Sequence, residues 1–234
     1  MTAEKYLEKI MAYISTMESH EQKYINFMVE LEQSPVHNIP IGILADIVVN
    51  LKNDIRAEHA KKSGKGTELS AAKRILKSSK KHSNTALHFA KTIGEYQYIC
   101  DGFRLVKLAD HLPLPELPSG VDYVNVDHFF NAERHNMASI EMPDLAQLKA
   151  HIKVQRAKQK AEGRKNPIVT FDFGKGMPIV NAEYLADMME LLPSCTVYAD
   201  PQNSLNPLYF YSGNSAGMLL PMNINTTKRE RTRL

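Results

Sequence analysis

An arginine set inside an apolar run can do chemistry: its guanidinium can hold a carboxylate or phosphate while its stem lines an apolar groove. The stretch Cys-Asp-Gly-Phe-Arg-Leu-Val-Lys-Leu, residues 100–108, holds one such residue, Arg104. Asp101 and Gly102 suit a tight turn, and the run behind them alternates as a strand does. A period of two puts Phe103, Leu105 and Lys107 on one face and Arg104, Val106 and Leu108 on the other. Such a hairpin is either scaffold, with Arg104 solvated, or the wall of a binding site.

The remaining cations with useful spacing lie on two expected helices. In residues 143–160, Leu145, Leu148 and Ile152 form an apolar stripe beside a basic one of Lys149, Lys153, Arg156 and Lys160. In residues 69–82, Leu69, Ala72, Ile75 and Leu76 lie beside Lys73, Lys77, Lys80 and Lys81. Lysines alone can grip duplex phosphates without reading bases. The same stripes also read as solvated outer faces, since no aromatic is interleaved to stack on bases. A third helix, 182–192, turns Leu185, Met188, Met189 and Leu192 inward, with Glu183, Asp187 and Glu190 expected to decorate the rest.

Other candidates fail on spacing. Nine histidines form no zinc pattern, so no metal or cofactor is expected. Cys100, at a strand end among apolar residues, reads as an inert thiol. Asp172, Phe173 and Gly174 lack the loops that give a kinase triplet its meaning and read as a strand end and turn. Residues 61–68 do not have phosphate-loop spacing and read as a linker. No nucleophile, base and orienting group come together, so the expectation is a protein that is not an enzyme. Tyr209, Phe210 and Tyr211 read as strand and core contacts.

The 234 residues, 43% hydrophobic and 24% charged, make an ordinary globular composition, and a net charge of +3 announces no partner by itself. No apolar run reaches the roughly 18–20 residues of a membrane span, and the polar start and two distant cysteines suggest a cytoplasmic chain with reduced thiols. A heptad of Tyr6, Ile10, Tyr13, Met17, Tyr24, Phe27 and Leu31 predicts one long helix to about Leu31. A second, with Ile41, Leu44, Val48, Leu51 and Ile55, predicts a helical hairpin over 1–62. After a linker at 63–68, helices alternate with short strands over 69–224, an α+β pattern, and 225–234 is a basic tail. Pro143 is expected in the first turn of its helix, Asn181 at the start of the third.

In this order the pieces are similar to the bacterial DNA polymerase III beta sliding clamp family. Residues 100–108 resemble the family's Asp-Gly-His-Arg-Leu turn and strand, with Phe103 in place of histidine. Residues 179–192 look like its late strand and helix, and residues 207–224 its closing strands, the terminal signature reading Leu220, Pro221, Met222. Residues 140–153 resemble a repeat's opening strand and helix. The resemblance implies strand-helix-strand repeats whose helices face duplex DNA. It also implies a hydrophobic cleft for short peptides of polymerases or other replication proteins, formed here by Gly102, Phe103, Arg104, Leu105, Leu220, Pro221 and Met222. The guanidinium of Arg104 would meet an acidic or polar group of that peptide. The chain is shorter than a full clamp, so a ring would need more copies and a homo-oligomer is implied; abbreviated relatives of this kind are associated with phages. The leading expectation is a clamp-like, non-enzymatic replication accessory protein. The alternative is an interaction adaptor or inhibitor acting through the N-terminal helices, with the clamp-like part as scaffold.

Overall fold

A computed structural model describes residues 3–34, 40–118, 120–131, 137–174 and 176–223. The chain divides into two compact units, residues 1–66 and 67–234. Among the described residues it is an α+β protein of seven α-helices, a seven-stranded antiparallel sheet and a two-stranded one. No described helix is long and apolar enough to cross a membrane.

The first unit holds α1 (Ala3–Ser15), α2 (His20–Glu32) and α3 (Ile41–Lys62). The expected single helix over the heptad is broken at residues 16–19. The cause is local: Ser19 accepts a hydrogen bond from the backbone N of Gln22 and starts a new helix, in a Ser-His-Glu-Gln sequence of capping-box type. The heptad spans that break, which is why it reads as continuous. Tyr6, Leu7, Ile10, Ile14, Phe27 and Leu51 form the core of this unit, whereas the heptad member Tyr13 is exposed.

In the second unit α4 (Gly66–Ser79) begins inside the segment expected to be a linker. A short 3-10 turn at Thr85–His88 precedes β1 (Lys91–Ile93). Then follow β2 (Tyr96–Cys100), β3 (Arg104–Leu108), α5 (Asp127–Asn131), β4 (Ala138–Ile140) and α6 (Leu145–Ala161). The chain continues through β5 (Thr170–Asp172), β6 (Ile179–Asn181), α7 (Ala182–Leu191), β7 (Thr196–Ala199), β8 (Leu208–Ser212) and β9 (Ser215–Leu219). Asp144 caps α6 by accepting from Gln147 N at 2.9 Å, so Pro143 stands before the cap rather than in the first turn. Asn181 caps α7, accepting from Glu183 and Tyr184, as its type predicts.

The large sheet runs β1-β2-β3-β9-β8-β7-β4, so the first and last parts of the unit meet at β3 and β9. Arg104 pairs with Leu219 and Val106 with Gly217, placing Arg104, Val106, Gly217 and Phe210 on one face and Leu105, Met218 and Tyr209 on the other. The first face packs on α7. Gly217 is required there: a Cβ would collide with Met188 and lie 2.8 Å from Leu192 Cδ1, both fully buried. The tail at 225–234 lies outside the described residues.

Candidate functional site

The turn at Asp101 is built to bury an arginine. Asp101 Oδ1 accepts from the backbone N of Phe103 at 3.0 Å and of Arg104 at 2.7 Å, and Gly102 takes the left-handed φ of +82° that closes the turn. Asp101 Oδ2 then accepts from Arg104 Nε at 3.0 Å and Nη2 at 2.6 Å. The remaining arm, Nη1, donates to Asp187 Oδ2 at 2.5 Å, and the Tyr184 ring lies 4.0 Å from the guanidinium carbon. Arg104 is 1% exposed. It therefore neither lies in solvent nor reaches for a peptide's acid, as the clamp resemblance implies; the chain's own carboxylates satisfy it.

Asp187 is the centre of a larger clasp. Its Oδ1 accepts from Arg74 Nε of α4 at 2.6 Å, and Arg74 also donates to Glu190. Lys149 of α6 pairs with Glu190, and Arg156 Nη1 lies 2.6 Å from Glu183 Oε1. Burial opposes the charge on Arg74, but the carboxylates of Asp187 and Glu190 outweigh it and hold the guanidinium protonated above its ordinary range. The acids expected to decorate an outer face of α7 instead face the two basic helices. Residues 183, 187 and 190 share one side of the helix, and the opposing cations come from elements far away in sequence.

Above the clasp lies an open cleft of about 1080 Å³. Lys77 and Ser78 of α4 and Lys81 just beyond its end form one wall, and Ile152, Arg156 and Lys160 of α6 form the other, with Lys165 just beyond α6. Tyr184, Asp187 and Glu190 are part of its lining. The cations sort into two kinds. Arg74, Arg104, Lys149 and Arg156 are paired with carboxylates. Lys77, Lys81, Lys160 and Lys165 are exposed and have no carboxylate partner among the described residues. No family model, no curated protein and no solved structure matches the chain.

Of the eight cations proposed from sequence, Lys77, Lys81, Lys149, Arg156 and Lys160 come together at this cleft. Lys73, Lys80 and Lys153 are exposed but are not part of its lining. Sequence reasoning missed Arg74 and Lys165. Arg74 was findable, because positions 74, 77, 78 and 81 share one helical face.

The other candidate group is also brought together, in a different state from the one expected. Leu220 N donates to Phe103 O at 2.9 Å, and Met222 N to Ile179 O at 2.7 Å, so Leu220, Pro221 and Met222 run from β3 towards β6. Phe103 is exposed at the turn, its ring 5.6 Å from His82 and 5.9 Å from Tyr184. A Cβ at Gly102 would be strained by the φ of +82° and would lie 3.1 Å from His82 Cε1. Leu105 points to the other face, buried with Tyr98, Met218 and Val126, and Leu220 packs against that cluster. This face is covered by the chain's own residues around Val126, so it is no open groove. Cys100 belongs to the same surroundings, and burial pushes its thiol up, away from nucleophile chemistry.

Proposed function

We propose that the protein is a non-enzymatic, clamp-like replication accessory protein that holds the phosphate backbone of double-stranded DNA through the walls of the α4/α6 cleft. The observation that carries this reading is the set of four lysines, Lys77, Lys81, Lys160 and Lys165, that line one cleft without a carboxylate partner among the described residues. Phosphodiesters are the anions such a set suits: point charges in a row give grip without base readout. Tyr184, the one aromatic ring in the lining among the described residues, packs against Arg104, which favours phosphate grip over base stacking. Strand-helix-strand repeats, replication partners and assembly into a ring belong to the same proposal.

Fluorescence anisotropy with a labelled 20-base-pair duplex in low salt tests it, together with retention on nicked circular against linear DNA. Binding is expected, with longer retention on the circle if copies close around the duplex. Absence of binding at about 50 mM salt, where phosphate contacts are strongest, would remove the DNA reading.

A second reading, an interaction adaptor acting through the N-terminal helices, is favoured by one observation. Ile25 and Val29, one turn apart on α2, are 51% and 43% exposed. On this reading the joint Ile25→Asp and Val29→Asp variant sediments as a monomer at concentrations where the parent chain self-associates. Identical sedimentation of the two, or a monomeric parent, would remove self-association through this stripe.

A further inference from the structure

The carboxylates that hold the cleft's cations differ in how far water reaches them. The Asp101 side chain is fully buried, and those of Asp187 and Glu190 are 13% and 7% exposed. Arg104, Arg74 and Lys149 are therefore tied to acids that packing keeps from solvent, and breaking those pairs strands a buried charge.

The pair of Arg156 and Glu183 is of another kind. The two side chains are 45% and 33% exposed, and both line the cleft. An ion pair so open to solvent is weak and readily exchanged. Glu183 does not depend on the arginine either. It stands in the first turn of α7, behind the Asn181 cap, where the helix dipole favours a carboxylate. Arg156 has an alternative partner within reach of an incoming anion. One turn along the same side of α6, Lys160 lines the cleft without a carboxylate partner among the described residues. A phosphate drawn to Lys160 approaches a guanidinium whose planar fork matches two of its oxygens, which the point charge of a lysine cannot do.

We propose that Arg156 is a latent fifth phosphate contact of the cleft and that Glu183 is the intramolecular acid that withholds it. Phosphate and Glu183 compete for one guanidinium, and a carboxylate released from it is left to water and the start of α7. The inference rests on the DNA reading of the cleft. It adds that the chain itself sets the grip below what its cations could deliver. With Arg156 held, four lysines give a salt slope of about −3.6, and with Arg156 free five contacts give about −4.5.

Duplex binding by anisotropy, followed from about 50 to about 200 mM salt, is compared for the parent, Glu183→Gln, and the double variant Glu183→Gln, Arg156→Gln. Both positions are partly exposed, so neither substitution opens the core. Glu183→Gln is expected to bind about five- to tenfold more tightly than the parent at about 100 mM salt. Across the salt range it should lose about 500-fold in affinity, where the parent loses about 150-fold. The double variant is expected to return to the parent's affinity and slope. That return separates a released contact from the mere removal of a negative charge, whose benefit would persist without Arg156. Equal binding by the parent and Glu183→Gln would overturn the inference, as would a double variant that keeps the gain. Either result leaves the DNA reading standing, whereas no binding by any of the three chains removes both.

Discussion

Replacing Asp187 with alanine is expected to destabilise the second unit by about 3–5 kcal/mol, read as a fall in the urea midpoint at unchanged slope. The size follows from what is left behind. Arg104 is 1% exposed and would keep Asp101 but lose the partner of Nη1. Arg74 would lose its Nε partner in the same step. Removing one member of a buried ion pair leaves an uncompensated charge out of water, which costs far more than the pair itself is worth. Glu183→Gln is the contrast. Its partner Arg156 is 45% exposed and Glu183 33%, so solvent screening limits the loss to about 0–1 kcal/mol. If the two variants were equally mild, the clasp would not be what positions α4 and α6.

Changing Lys77, Lys81, Lys160 and Lys165 together to glutamine should nearly abolish duplex binding while leaving the urea midpoint close to that of the parent. These lysines are exposed and have no carboxylate partner among the described residues, so folding has little invested in them. Four phosphate contacts give a salt slope of about −3.6, or roughly a 150-fold loss of affinity between about 50 and about 200 mM salt. The quadruple variant should show neither the affinity nor the slope. A variant that binds as the parent does would place the DNA surface elsewhere.

Much of the site was legible in residue spacing, and the failures share one cause. The alternation around Arg104 assigns its face correctly, because a strand's period of two survives any packing. The basic stripes of α4 and α6 were visible for the same reason. What one helix or strand cannot show is what stands opposite. Asp101 is three residues from Arg104, but Asp187 is 83 residues away, so a buried arginine and a solvated one look alike until the chain folds. The acids of α7 read as surface decoration on the same ground. The peptide cleft suffered likewise: Leu105 and Leu220 do meet, but the residues that cover their face lie around Val126, in a stretch with little period of its own. At Ser19 the error went the other way, since a heptad that spans a cap conceals the cap.

The most direct measurement is the salt dependence of duplex binding for three chains: the parent, the quadruple cleft variant, and a control in which Lys73, Lys80 and Lys153 become glutamine. All seven are exposed lysines, but only the first four line the cleft. The account predicts a slope near −3.6 for the parent, little change in the control, and a slope near zero in the cleft variant. A slope lost in the control and kept in the cleft variant, or lost equally in both, would contradict it.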